Sequence, residues 1–497
     1  MNTSMIRYIL GHIIKLEGGF MLLPCIIALI YKEKELSTYF MVAIGCFLLG
    51  SLLTRKKPND TIFYLKEGCI ATVLSWMALS FFGSLPFVIT GEIPHFTDAM
   101  FETVSGFTTT GASILSDVEA LSHTSLFWRS FTHWIGGMGV LVFLLAVVPM
   151  SGGSHFNLMR AESPGPSVGK LVPKLRHTAR ILYLIYFGLT ILQFVALIIA
   201  KMPWFDALCT SIGTAGTGGF GILNTSIGKY SPTIQWIVTI FMLIFAVNFN
   251  AYYLILFGQA KKAFKMEEVR AFLIIVAVAI ALITHDIFNL YGNFFEALRY
   301  AAFQVASIIS STGFATTDFN VWPGLSKTIL VVLIFVGACA GSTGGGMKVS
   351  RFVIVGKAII QELHSYIHPR SVKQITMDEK EVDPSVIRSV NTYFITFVMV
   401  FVISLLIIAL EEKDLVTNFT SVATTMNNIG PGLSLVGPTR NFGHFSDLSK
   451  WVFIFDMLAG RLELFPMLIL FHPSIWHDLV VKTTRRKLKK FRSQMNQ

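Results

Sequence analysis

A stretch of fifteen residues, FETVSGFTTTGASIL at 101–115, returns three times in altered form along this chain. Its relatives are ALCTSIGTAGTGGFG at 207–221, FQVASIISSTGFATT at 303–317 and FTSVATTMNNIGPGLS at 419–434. Each copy is a short, moderately apolar, helix-competent segment that breaks at a glycine preceded by Thr or Ile: Gly111, Gly218, Gly313 and Gly430. The intervals between these glycines are 107, 95 and 117 residues. Such a period is far too long for a solenoid and suits a unit of membrane helix, re-entrant hairpin and membrane helix. The recurrence therefore predicts four hairpins around one axis.

Composition agrees with a membrane setting. Of 497 residues, 53% are hydrophobic and 14% charged, with a mean hydropathy of +0.63, against roughly 25% charged in an average soluble domain. The five cysteines, at positions 25, 46, 69, 209 and 339, sit in or beside apolar runs at no disulfide or metal-ligand spacing, so they read as small buried hydrophobes. A net charge of +11 would suggest nucleic acid in a soluble chain. Here its distribution sets topology, and no nucleic-acid partner is expected.

Residues 8–30 and 37–54 form two apolar segments of spanning length ahead of the first repeat. Lys15, Glu17 and Pro24 interrupt the first, and no small-residue cleavage site follows, so it reads as a span rather than a signal peptide. The repeats then predict full spans at 69–90, 127–149, 180–200, 234–257, 271–290, 326–356, 389–410 and 450–472, with half-spans between each pair. The expected fold is an all-α integral membrane protein: four pseudo-repeated helix–pore-loop–helix units around a central pore, plus two N-terminal transmembrane helices. The units run 1–66, 67–158, 159–262, 263–388 and 389–497. Arg55, Lys56, Lys57 and Lys66, the group Arg160, Lys170, Lys174, Arg176 and Arg180, the group Lys261, Lys262, Lys265 and Arg270, and the tail 482–492 all fall on one side. The positive-inside rule makes that side cytoplasmic, with both termini inside. The basic tail has three readings: lipid-headgroup contact, partner docking or a solvated end.

Non-helical backbone is tolerated at membrane depth only where protein buries it or it lines a wet cavity. Three half-helices open with an acid in the first turn, Asp98, Asp206 and Glu296, which suits the positive helix end. Their other ends then aim carbonyls at the membrane centre, and a ring of carbonyls can replace the hydration shell of an alkali cation. No acidic side chain sits at any break, which disfavours a divalent carboxylate site.

TTTGAS, GTGGFGILN, SSTGFATTDF and NNIGPGLS, with MRAESPGP at 159–166, GACAGSTGGGMKVSR at 337–351 and DMLAGRLELFP at 456–466, resemble the Trk/Ktr/HKT superfamily and within it the TrkH family of bacterial Trk potassium uptake subunits. The resemblance covers essentially the whole chain. It implies K⁺ uptake across the bacterial cytoplasmic membrane by a homodimer working with a TrkA-type cytoplasmic nucleotide-binding ring. It also implies K⁺ as the transported ion, no organic cofactor in this chain, and a filter at Thr109, Thr110, Gly111, Thr217, Gly218, Thr312, Gly313, Ile429 and Gly430. Glycine at all four filter positions goes with potassium in that superfamily.

The run GSTGGGMK at 341–348 departs from a phosphate loop, because Met347 follows Gly346 and Val349 follows Lys348. It lies inside an apolar span, which excludes an ATPase reading. Gly341, Ser342, Thr343, Gly344, Gly345, Gly346 and Met347 make a poor helix, so the span is expected to break there into a mobile gating loop. Arg461 lies in the last apolar span, where a charge is costly and faces the interior. On a continuous helix it shares a face with neither Asp456 nor Glu463. It is therefore expected to project toward the pore as a bare positive charge, for which lysine substitutes. The rival reading is a secondary transporter coupling K⁺ or Na⁺ to H⁺ or Na⁺, and it needs a titratable group in the path. No nucleophile–base set or metal cluster supports an enzyme.

Overall fold

In a computed structural model, residues 2–58, 64–139, 175–369, 374–473 and 475 are described. The segment MRAESPGP at 159–166 and the basic tail 482–492 lie outside them. The described chain is helical apart from one two-residue antiparallel ladder, Thr376–Met377 with Lys380–Glu381.

Two helices with no hairpin come first. One runs Thr3–Phe20 and Leu22–Tyr31 with a joint at Met21, and the other Leu36–Thr54. They pack on each other so closely that a Cβ at Gly18 would lie 2.7 Å from Ala43 O. Four units follow, each with a long first helix, a short pore helix and a second helix. The first helices are α4 (Leu65–Thr90), α7 (Leu175–Ile199), α12 (Glu267–Tyr291) and α16 (Pro384–Ile408). With the two N-terminal helices they are, among the described residues, the six long enough and apolar enough to cross a membrane. Their outward faces are apolar and exposed, as at Leu184 and Leu406. Such a surface is stable only against lipid. All five cysteines are buried, and none is in a disulfide.

The second helices differ from expectation. Full spans were expected at 127–149, 234–257 and 450–472, and a break only inside 326–356 at the glycine run; the three described throughout are all broken at comparable points, that of 326–356 as expected. The chain turns by 91° between α9 (Pro232–Ala246) and α10 (Phe249–Leu256). It leaves the helix from Gly337 to Lys348 between α14 (Gly324–Val336) and α15 (Val349–Ile367). In the fourth unit α18 (Asp447–Arg461) stops at Arg461, and Glu463 and Leu464 take positive φ of 64° and 60°. In the first unit α6 (His123–Gly137) ends at Gly137, where the description stops two residues later. Three of these helices start on a serine cap: Ser122, Ser231 and Ser446 each accept the amide three residues on. Their ends are set by tertiary contacts rather than by propensity, as the site makes plain.

Candidate functional site: four turns and the loop beneath them

The pore helices are α5 (Phe96–Phe107), α8 (Trp204–Gly216), α13 (Phe294–Ile309) and α17 (Leu415–Asn427). At 1.5 Å per residue they reach about half-way through a membrane, roughly 18–24 Å. Asp98, Asp206 and Glu296 stand in the first turns of the first three. The fourth uses Asp414 as its N-cap, accepting from Thr417 N at 2.9 Å. The acid thus sits against the positive end of all four.

Each pore helix ends in the same turn. In the first, Thr109 N donates to Gly106 O and Thr110 N to Ser105 O. The pair is Thr217 N to Thr214 O and Gly218 N to Gly213 O in the second, Ser311 N to Ile308 O and Thr312 N to Ser307 O in the third, and Asn428 N to Thr425 O and Ile429 N to Thr424 O in the fourth. Thr109, Thr217, Ser311 and Asn428 all take left-handed φ, between 54° and 59°. Two residues later come Gly111 (78°), Gly219 (76°) and Gly313 (85°), with Gly430 at the same place in the fourth.

This register corrects one expectation. Gly218 is the counterpart of Thr110, Thr312 and Ile429, and the fourth glycine of the ring is Gly219. The physical reason is conformational: the left-handed position after the turn falls on Gly219, which carries no Cβ to resist it. The four glycines close on one another. A Cβ on Gly111 would lie 2.1 Å from Gly218 O, on Gly219 1.8 Å from Thr312 O, on Gly313 3.0 Å from Gly430 N, and on Gly430 2.7 Å from Gly111 O. Gly111, Gly219, Gly313 and Gly430, but not Gly218, line a cavity of about 160 Å³.

Buried polar groups behind the turns hold them. Arg129 and Glu102, 2% and 1% exposed, pair at 2.6 Å. Glu102 also accepts from Ser113 Oγ at 2.9 Å and Ile114 N at 3.0 Å. Arg129 donates to Gly221 O at 3.3 Å and lies over the Phe220 ring. The pair thus joins the strands leaving the first and second turns. His133 bridges the same two repeats, with Nδ1 at 2.8 Å from Gly106 O and Nε2 accepting from Phe220 N at 3.2 Å. That acceptor role puts the ring proton on Nδ1. Asn428 Nδ2 reaches from the fourth turn to Thr110 Oγ1 at 3.0 Å and to Met457 O. Sequence reasoning missed Arg129, His133 and Asn428 as site residues; a charge inside an apolar helix was the available signal for the first.

Beneath the turns lies the loop Gly337–Lys348, longer than the expected 341–347. Thr343, Gly344 and Gly345 are buried, and hydrogen bonds pin them. Gly345 N donates to Ser311 Oγ and Gly346 N to Asn427 O. Thr343 Oγ1 donates to Phe245 O and Cys339 N to Ala246 O, which satisfies carbonyls left open where α9 ends. Lys348 turns its ammonium back on Gly344 O and Gly345 O. Glu268 accepts from Ala340 N and Ser350 N.

Arg461 also departs from expectation. Its Nη1 donates to Thr343 O at 2.9 Å and its Nη2 to Gly136 O and, at 2.8 Å, to Gly137 O. It straps the loop to the C-terminal end of α6, where a cation is favourable. Asp456 accepts from Ser404 and Glu463 pairs with Arg351. Neither holds Arg461, as expected, but the helix-wheel argument fails at Glu463, which lies beyond the helix end.

A family model described as "Cation transport protein", TrkH, matches residues 36–478. The Trk system potassium uptake protein TrkH of Salmonella typhimurium is 36% identical over 491 residues, covering 96% of this chain and all of that one. The Trk system potassium uptake protein TrkG of Escherichia coli K12 is 33% identical over 492 residues with the same coverage. The crystal structure of the potassium transporter TrkH from Vibrio parahaemolyticus superposes with a TM-score of 0.86 at 34% identity, covering 96% of this chain and 100% of that one. On these matches and on the fold they share, the chain belongs to the TrkH family of cation transport proteins.

Proposed function

We propose that this chain conducts K⁺ into the bacterial cell across the cytoplasmic membrane, through a filter formed by the four turns, with both termini inside. The observation that carries the reading is the repeated backbone register, four identical turns that abut through glycine. Carbonyls of residues 109–111, 217–219, 311–313 and 428–430 replace the ion's water there. The names of the relatives support K⁺ as the ion. The unit boundaries given above, a homodimer and a TrkA-type nucleotide-binding ring on the cytoplasmic side belong to the same reading. Rb⁺ and Na⁺ fluxes into proteoliposomes test it. Rb⁺ uptake well above Na⁺ uptake is expected, and equal fluxes would remove the carbonyl filter.

The loop Gly337–Lys348 is the gate in this reading, since it is buried directly beneath the third and fourth turns. Deleting Gly344–Gly346 should raise Rb⁺ uptake about tenfold or more in protein that still purifies as a single species. Parental uptake in such protein would make the loop a packing element.

Arg461 then acts as a strap as well as a charge. Its planar fork holds three carbonyls on two segments, which a lysine point charge cannot reproduce. Both Arg461→Ala and Arg461→Lys should speed Rb⁺ uptake, the alanine variant more. A lysine variant indistinguishable from the parent would mean that charge alone matters.

A further inference from the structure

The loop and the filter meet at one side chain that the repeat pattern does not single out. Ser311 holds the first left-handed position of the third turn and is fully buried. Its hydroxyl oxygen accepts the Gly345 N–H at 2.5 Å. The next amide, Gly346 N–H, donates to Asn427 O at 2.9 Å. On the opposite side of the same peptides, the Lys348 ammonium takes the carbonyls of Gly344 and Gly345. A Cβ on Gly345 would lie 2.5 Å from Asn427 O, 3.0 Å from Asn428 Cβ and 3.3 Å from Ser311 Oγ, so the loop backbone packs directly on the third and fourth turns.

The other three turns use that position differently. Thr217 Oγ1 bonds back to Gly216 O. Asn428 reaches Thr110 and Met457. The Thr109 hydroxyl has no hydrogen-bond partner among the described residues. Asn428 also packs its Cβ near Gly345, but among the described residues a hydrogen bond from this position to the loop is a property of the third repeat.

We propose that Ser311 couples the loop to the filter, so that cation selectivity depends on whether the loop is seated. This rests on the filter-and-gate reading above. The loop cannot leave without giving up the Ser311 acceptor, and the third turn is held in part by Gly345. By linkage, a cation whose binding favours this turn geometry also favours the seated loop. Ser311 is thus a positioning residue for the third quarter of the ring.

The test compares Rb⁺ and Na⁺ fluxes of the full-length protein in proteoliposomes for five forms: the parent, Ser311→Ala, Ser311→Thr, the Gly344–Gly346 deletion, and that deletion with Ser311→Ala. Ser311→Ala should raise Rb⁺ uptake about 3- to 10-fold, the factor set by one ordinary hydrogen bond, and lower the Rb⁺/Na⁺ ratio. Ser311→Thr keeps the hydroxyl at a φ that Thr109 and Thr217 already hold, and should move both readings from those of Ser311→Ala back toward the parent's. In the deletion background Ser311→Ala should have a much smaller effect on both than in the parent. If the alanine variant does not fold, Ser311→Gly removes the same hydroxyl while easing the positive φ. A Ser311→Ala effect of equal size with and without the loop would place the residue in the filter alone and overturn the coupling, as would parental uptake and ratio in folded Ser311→Ala. Parental uptake in the deletion without any change at Ser311 marks failure of the gate reading itself, and the coupling falls with it.

Discussion

Arg129→Ala is expected to leave little folded protein, at a cost of about 3–5 kcal/mol, because it strands the Glu102 carboxylate in the interior. Both partners are essentially excluded from solvent, and the remaining acceptors of Glu102 are filled by Ser113 and Ile114 rather than by a second cation. Replacing both at once, Arg129→Met with Glu102→Leu, removes the stranded charge and should restore stability to within about 2 kcal/mol of the parent. The double variant nevertheless loses the hydrogen bonds that join the strand after the first turn to that after the second through Gly221. Its Rb⁺/Na⁺ flux ratio should therefore fall while thermal unfolding in detergent stays near parental. A stable double variant with the parental ratio would reduce the pair to an internal brace with no bearing on the filter.

How much of this could be read from residues alone depends on what each signal reports. The four breaks were legible because glycine stands at each, in the left-handed region at Gly111, Gly219 and Gly313 and packed against Gly111 at Gly430. The register of the second was not, since Thr217-Gly218-Gly219 offers two glycines and a rule of threonine followed by glycine selects the wrong one. The shared Gly-Phe of Gly219-Phe220 and Gly313-Phe314 was the clue available. The long first helices were legible from apolar length. The broken second helices were not, because residues 234–257 and 450–472 carry no glycine run at their breaks, only Asn248 and Asn250 in one and Arg461 and Glu463 in the other. There the loop caps carbonyls of Phe245 and Ala246, and Arg461 caps those of Gly136 and Gly137, which are contacts between distant segments. Only the glycine run at 341–346 announced its break in composition. Arg461 shows the consequence: a helix wheel carried past residue 461 assigned faces to residues that are not on the helix.

Gly219→Ser and Gly218→Ser should both impair transport severely, for different reasons that a second substitution separates. Gly219 holds φ at 76° and a Cβ there would meet the Thr312 carbonyl at 1.8 Å. The left-handed conformation costs a non-glycine residue about 1–2 kcal/mol, and moving the neighbouring backbone adds about 1–3 kcal/mol of overpacking. Both penalties fall on the ring itself, so selectivity as well as flux should collapse. Gly218 has no such φ, and a Cβ there meets a side chain instead, the His133 ring at 2.0 Å. Shortening that neighbour with His133→Ala opens the space. It also removes the tie from Phe220 N, so the single His133→Ala protein should be weakened. The combination of Gly218→Ser with His133→Ala should nonetheless transport Rb⁺ better than Gly218→Ser alone, whereas His133→Ala should do nothing for Gly219→Ser. The same comparison orders the remaining positions. Gly111→Ser, at φ 78° and 2.1 Å from Gly218 O, should resemble Gly219→Ser, and Gly430→Ser, outside the left-handed region and 2.7 Å from Gly111 O, should be the mildest. Rescue of Gly219→Ser by His133→Ala would show that the ring register assigned to the second repeat is off by one residue, and a Gly430→Ser defect as deep as that of Gly111→Ser would show that the left-handed φ does not set the order.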